Sequence, residues 1–217
     1  MQVIPSINEA GFPAVVEKIK KAEDFLPTDG WIQIDVSDGN FSPAVSWNNP
    51  EDLKNIRTHL SIELHLMINE LEASLRLWLN ALMLVTSGKK RIIIHFEAMK
   101  EPDYILNECR SLGIEAGIAL NPETNPELVT VFLPSFKLVQ VLSVNPGFSG
   151  QVFDDKMLSK IKFLKEKESN VIIEVDGGMN PETIKLAKDA GADIIVAGAY
   201  IWQSPSPGSA YQELSNI

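Results

Sequence analysis

Three polar side chains in this 217-residue chain, Asp35, His65 and Asp176, could together move a proton at a carbon beside a carbonyl. Gln33, Asp35 and Ser37 alternate along Trp31-Ile32-Gln33-Ile34-Asp35-Val36-Ser37, so in a strand all three share one face. His65 lies in Glu63-Leu64-His65-Leu66-Met67, and Asp176 ends the run Glu174-Val175-Asp176 before Gly177-Gly178. A carboxylate buried in an apolar setting is costly unless paired or metal-bound, so Asp35 and Asp176 both demand partners. Two carboxylates that reach a small substrate from two faces could remove a proton on one side and return one on the other. His65 between them would complete a donor set for a divalent cation acting as a Lewis acid.

Glycine-rich turns supply a second kind of chemistry. Gly147-Phe148-Ser149-Gly150, Gly177-Gly178 and Gly198-Ala199 let backbone N–H groups approach an anion closely, and together they point to a phosphate site. No Lys or Arg stands beside these turns, which leaves the binding to backbone N–H groups and helix N-termini. Ser6 ends the first apolar run, and Met67 is placed either to cap a bound sugar or to fill the core. Asp38, before Gly39, reads as a turn residue; His95 reads as a donor to a neighbouring carbonyl or carboxylate; His59 falls between strands on the surface.

The elements that must position these groups recur along the chain. β-like runs occur at Gln2–Pro5, Trp31–Val36, Ser61–Leu66, Arg91–Phe96, Glu115–Leu120, Lys137–Ser143, Asn170–Val175 and Asp193–Ala197. Their spacing is roughly 25 residues, the length of a strand–helix unit with short connections. Helical periodicity fills the gaps: Phe12–Phe25 carries Val15, Val16, Ile19 and Ala22 on one stripe, and Asp154–Lys167 carries Met157, Ile161 and Leu164. Asn180 before Pro181 marks a helix start, and Gly191 its end. The pattern predicts a single-domain α/β fold over residues 1–217, a (β/α)8 TIM barrel, with the chemistry at the C-terminal ends of the strands. A doubly wound sheet would need a Gly-x-Gly-x-x-Gly turn after the first strand, and none follows Val3–Ser6.

Composition excludes several function classes. Nineteen basic against 29 acidic residues give a net charge of −10. Without a basic cluster beyond Lys89-Lys90-Arg91, neither nucleic acid nor an anionic membrane is an expected partner. The apolar runs are too short to span a bilayer. Met1-Gln2-Val3-Ile4-Pro5 lacks the pattern of a secretory signal, so a cytoplasmic protein is expected. Cys109 stands alone and reads as a buried structural thiol.

The motifs together resemble the ribulose-phosphate 3-epimerase family over nearly the whole chain. The segments that carry the resemblance are Pro5-Ser6-Ile7, Ile34 to Phe41, His65-Leu66-Met67, Ala119-Leu120-Asn121-Pro122, Ser143 to Gln151 and Glu174 to Asn180. The resemblance implies a (β/α)8 barrel that interconverts D-ribulose 5-phosphate and D-xylulose 5-phosphate. It implies one divalent metal (zinc, iron or manganese), a sugar phosphate as ligand, and a homo-oligomer. By position, Asp35 and Asp176 resemble the two proton-transfer groups and, with His65, metal ligands. Ser6, His65 and Met67 resemble substrate contacts; Gly147, Phe148, Ser149, Gly150, Gly177, Gly178, Gly198 and Ala199 resemble the phosphate loops.

The chain departs from the family pattern at three positions. Gln33 stands where a metal-ligating histidine is usual, and Ser37 and Leu142 stand where methionines are usual. An amide oxygen at Gln33 would be a neutral, weaker ligand, so weaker metal binding is expected. Three readings follow: epimerisation of a ketose 5-phosphate, the same chemistry on another sugar such as a hexulose 6-phosphate, or a sugar-phosphate-binding barrel with little catalysis. The related decarboxylases and hexulose-phosphate synthases carry a lysine between two aspartates after the second strand, and Asp35-Val36-Ser37-Asp38 contains none.

Overall fold

A computed structural model describes residues 1–217. Eight parallel strands close into a barrel in sequence order: β1 (Gln2–Ile7), β2 (Trp31–Ser37), β3 (Ser61–Met67), β4 (Lys90–His95), β5 (Glu115–Leu120), β6 (Leu138–Leu142), β7 (Ile172–Asp176) and β8 (Ile194–Ala197). Each expected strand is present, with no end displaced by more than two residues. Helices α1 (Phe12–Glu23), α2 (Leu71–Met83), α3 (Pro102–Ser111), α4 (Met157–Lys167) and α5 (Pro181–Ala190) cover the outside. Two connections carry only short 3-10 helices, Pro50–Asn55 and Pro126–Phe132, where helical segments had been expected throughout. Both begin with proline, which suits a first helical position. After β8 the chain makes α6 (Ala199–Trp202) and α7 (Pro207–Ser215). No helix is long and apolar enough to cross a membrane.

Strand alternation divides the apolar residues into two layers. Ile32, Ile34, Val36, Ile62, Leu64, Leu66, Ile92 and Ile94 face outward and join the helices in one core cluster of 54 buried residues. That core also takes Leu75, Trp78, Leu79 and Leu82 of α2, so most of the apolar surface of this helix packs inward, while Leu77 stays exposed. The barrel interior holds a separate apolar cluster of only eight: Ile4, Trp31, Ile93, Ala119, Leu138, Leu142, Ile194 and Val196.

Much of the remaining interior is polar. In register across the sheet, Gln33 pairs with Glu63, Glu63 with Arg91, and Gln140 with Glu174. One pleat higher, Asp35 pairs with His65, and Leu142 with Asp176. Two polar tiers therefore stack along the barrel axis. The upper one opens at the C-terminal rim.

Local signals place the rim loops. The Asn180 side chain accepts from the N–H groups of Glu182 and Thr183, and the Thr183 hydroxyl accepts from Asn180 N–H, a reciprocal cap on α5. Such a cap contributes about 1 kcal/mol. Gly191 ends the helix at φ 110°. This cap fixes where α5 begins, just beyond Gly177-Gly178. Cys109 is buried in α3, and burial pushes its thiol up to about 12, as expected of a structural residue.

Candidate functional site

Parallel strands deliver three donors to one point at the C-terminal rim. Asp35 and His65 are neighbours on β2 and β3, and Asp176 arrives from β7 on the other side of the barrel. Potential ligand atoms of the three lie within 4.8 Å of one another. His65 Nδ1 stands 3.2 Å from Asp35 Oδ1 and 3.7 Å from Asp176 Oδ2. Gln33 lies beneath them, fully buried. Its Nε2 donates to Asp35 Oδ1 at 2.7 Å and to Asp176 Oδ2 at 3.2 Å, while its Oε1 accepts from Gln140 Nε2 at 2.8 Å. Gln33 thus turns its nitrogen, not its oxygen, toward the carboxylates.

Crowded anions set the electrostatics. Burial, then the Asp35 charge, pushes the Asp176 carboxyl up to about 7. Burial alone would depress His65, but the hydrogen bond and charge of Asp35, with Asp176 and Glu63, outweigh it and raise its affinity for a proton. Behind His65, Nε2 meets His95 Nε2 at 2.9 Å, and His95 Nδ1 meets Glu97 Oε2 at 3.3 Å. Burial holds His95 down, to about 4, so it stays neutral near pH 7. Glu97 resists burial and stays low through His95, Thr124 and the Asn121 N–H. His95 therefore bridges a histidine and a carboxylate away from the cavity, in keeping with its expected role as a donor.

The donor set fits a divalent cation. Two carboxylates and one imidazole are the ligand types of many catalytic zinc, iron and manganese sites, and three protein donors leave positions open. Burial first, and then the Asp35 charge, raises the proton affinity of Asp176, and a cation between the carboxylates would lower it.

Above the donors lies a cavity of about 630 Å³. Ser6, Met67, Gly147, Phe148, Ser149, Gly150, Gly177, Gly178, Gly198 and Ala199 all line it, together with Asp35, His65 and Asp176; Gln33 sits below its floor. No Lys or Arg lines it, as expected. Two glycines show why side chains are absent at one wall. Gly177 has φ 113° and Gly178 φ 62°, and a Cβ would lie 2.5 Å from Val144 Cγ2 at the first and 2.4 Å from Phe153 N at the second. Asp38 is the turn residue expected, accepting from the N–H groups of Asn40, Phe41 and Asn69.

Sequence reasoning missed other members of the site. Asn8, Tyr200 and Glu213 also line the cavity, and no local pattern marks them. Glu63, Arg91, Gln140 and Glu174 form the lower tier. Their position two residues before His65, four before His95 and two before Leu142 and Asp176 was a usable signal, because it assigns them to the same interior face.

The chain is similar to known proteins in sequence and in fold. The model of the Ribulose-phosphate 3 epimerase family matches residues 2–202. The ribulose-phosphate 3-epimerase of Chlamydia muridarum is 34% identical over 212 residues, covering 94% of this chain and 89% of the relative. That of Helicobacter pylori strain J99 is 33% identical over 225 residues, covering 100% and 98%. Among solved structures, 3-hexulose-6-phosphate synthase from Salmonella typhimurium superposes with a TM-score of 0.69 at 14% identity, covering 100% of this chain and 97% of that one. KGPDC from Streptococcus mutans gives 0.70 at 13%, covering 99% and 95%. At those identities the structures attest the barrel alone, while the sequence matches go further: the chain belongs to the ribulose-phosphate 3-epimerase family, isomerases that act on sugar phosphates.

Proposed function

We propose that this protein inverts C3 of a ketose 5-phosphate, interconverting D-ribulose 5-phosphate and D-xylulose 5-phosphate. The observation that carries the reading is the convergence of Asp35 and Asp176, from separate strands, on one point with His65 at the floor of a glycine-walled cavity. One carboxylate takes the proton from C3, and the C–H electron pair moves into the C2 carbonyl to give an enediolate. The other carboxyl gives its proton to the opposite face of C3, so the pair ends with its proton on the other residue. With no cation between the carboxyls Asp176 holds its proton up to about 7, so near neutral pH the metal-free pair can carry the single proton this exchange needs. Asp35, His65 and Asp176 would hold a divalent zinc, iron or manganese ion, which when bound stabilises the negative charge that develops on the sugar oxygens. Gly147 to Gly150, Gly177, Gly178, Gly198 and Ala199 offer the phosphate their backbone, and Ser6 and Met67 flank the sugar.

The test is deuterium wash-in at C3 of D-ribulose 5-phosphate in D2O, with chelated protein and with added Zn(II), Fe(II) or Mn(II). Wash-in accompanied by xylulose 5-phosphate supports the reading. Wash-in only with a hexulose 6-phosphate would move the substrate assignment, and binding of both sugars without exchange would leave a binding barrel.

The phosphate assignment makes its own prediction. Gly178→Ala forces a Cβ to 2.4 Å from the Phe153 N and 2.8 Å from its Cα, at a φ that L-residues disfavour. The backbone must shift where the phosphate is held, so KM should rise about tenfold, equivalent to about 1.4 kcal/mol of binding. Competitive inhibition by inorganic phosphate should weaken in parallel. An unchanged KM would place the phosphate elsewhere.

A further inference from the structure

We infer that Gln33 and Gln140 form a directional amide chain that positions the two carboxylates, making Gln33 a positioning residue and not a metal ligand. The inference deepens the proposed function and takes from it the roles of Asp35 and Asp176. The chain begins one tier below the site, where Gln140 Nε2 donates to Glu174 Oε1 at 2.7 Å and to Gln33 Oε1 at 2.8 Å. Both N–H bonds of that amide are thereby committed. Gln33 Nε2 then spends its own two N–H bonds on Asp35 Oδ1 and Asp176 Oδ2.

Each amide fixes the sense of the next. An ionised Glu174 Oε1 accepts and does not donate, so in that form it takes the nitrogen of Gln140, as the 2.7 Å contact has it. With that nitrogen shared, Gln33 must answer with its oxygen, and its nitrogen must face upward. Reversing Gln33 alone would set its oxygen against two carboxylate oxygens and its nitrogen against the nitrogen of Gln140. Reversing Gln140 as well would set oxygen against oxygen at Glu174. An independent mark of this constraint is Gln140 Oε1, which is buried with no partner. The amide leaves its own oxygen unsatisfied while keeping both donor bonds, the arrangement expected when the donors decide its orientation.

The upward N–H groups do something a cation at Gln33 could not. They bridge two carboxylates drawn from separate strands without adding charge, so the oxygens are aimed beside His65 Nδ1. They also present no lone pair to a metal. The site then offers a metal three protein donors, with the remaining positions left for oxygens of the substrate.

The test uses the full chain, stripped of metal, as wild type, Gln33→Leu, Gln33→Asn, Gln140→Leu and the double leucine variant. Three readouts are taken: hydrogen exchange of the side-chain amides by 15N NMR and the visible spectrum on Co(II) titration, both from metal-free protein, and kcat and KM for C3 epimerisation at saturating metal. The chain predicts that Gln140→Leu, a change remote from substrate, deprotects the Gln33 NH2 pair and lowers kcat about tenfold with KM unchanged. The double variant should lose no more than either single one. The Co(II) spectrum of Gln33→Leu should match wild type. A changed spectrum with Co(II) binding weakened more than tenfold would make Gln33 a ligand and overturn the inference, as would additive losses or a Gln33 amide indifferent to Gln140. If Gln140→Leu does not fold, Gln33→Asn decides, since it keeps an amide but falls one carbon short of the carboxylates; wild-type kcat there overturns the chain. Absence of epimerisation in wild type would sink the proposed function alone, because the exchange and Co(II) readouts still decide the amide chain.

Discussion

Asp35→Asn and Asp176→Asn, each assayed at saturating metal, should each lower epimerisation by about 10³-fold or more, within the range for loss of a general acid or base. The more informative result is the stereochemical split between them. If one carboxyl serves each face of C3, a variant that keeps the group facing the C3 proton of one epimer can still exchange that proton with solvent. It cannot complete inversion, because the group on the opposite face is gone. One variant should therefore wash deuterium into ribulose 5-phosphate without forming xylulose 5-phosphate, and the other should do the same for xylulose 5-phosphate. NMR of C3 in D2O for each variant and each epimer reads both outcomes. If both variants exchange the same epimer, a single residue serves both faces and the two-carboxyl scheme fails. An amide keeps the shape of the carboxyl, so the loss reports proton transfer in a protein that remains folded. Both residues are also candidate metal donors, and the metal titration is needed to separate that contribution.

The upper tier of the barrel was legible in the sequence because its signals are local. Gln33, Asp35 and Ser37 alternate within one strand, and that parity alone assigns them to the interior face once Ile34 and Val36 are given to the helices. His65 and Asp176 each interrupt an apolar run just before a turn, so each marks a strand end. Spacing alone gives the lower-tier residues their interior face, but that they form one layer was not legible, for a reason of register. Glu63, Arg91, Gln140 and Glu174 each look like an isolated polar residue in an apolar strand. Only the pairing of Gln33 with Glu63, Glu63 with Arg91, and Gln140 with Glu174 brings them into one layer. Gln33 illustrates the limit most sharply. Its residue type suggested a weak metal ligand, yet the direction of its amide depends on Gln140 and Glu174, more than 100 residues away along the chain. The 3-10 connections Pro50–Asn55 and Pro126–Phe132 have a different cause: at six and seven residues their segments are too short to sustain a full α-helix.

Arg91→Met should destabilise the fold by about 3–5 kcal/mol, because it strands buried carboxyls without their cation. Arg91 is 7% exposed and lies over Trp31, with its guanidinium carbon 4.1 Å from the ring centre. Its Nη1 reaches Glu63 Oε2 at 2.7 Å and lies 3.8 Å from Glu174 Oε2, while Nε donates to Glu115 Oε2 at 3.0 Å. Glu63 and Glu174 are fully buried, and Glu63 Oε1 and Glu174 Oε2 have no hydrogen-bond partner. Burial already raises the proton affinity of both carboxyls against the pull of Arg91, so removing the guanidinium should raise it further. For a chain of this size the loss corresponds to a fall in Tm of about 10 °C. The pH dependence has a definite sign. A carboxyl whose folded pKa exceeds its unfolded value binds more protons in the folded state, so its contribution to stability falls as pH rises above the unfolded value. The deficit of Arg91→Met relative to wild type should therefore be larger at pH 8 than at pH 5. Arg91→Lys keeps the charge but loses the planar fork that serves Glu63 and Glu115 together, and should fall between the two. Thermal melts and urea unfolding at both pH values measure all three proteins. A Tm within 2 °C of wild type, or a deficit that grows toward acid pH, would mean that Arg91 does not hold this layer together. The consequence would reach the site, because the Glu174 carboxyl that Arg91 faces is also the group on which Gln140, and through it Gln33, is oriented.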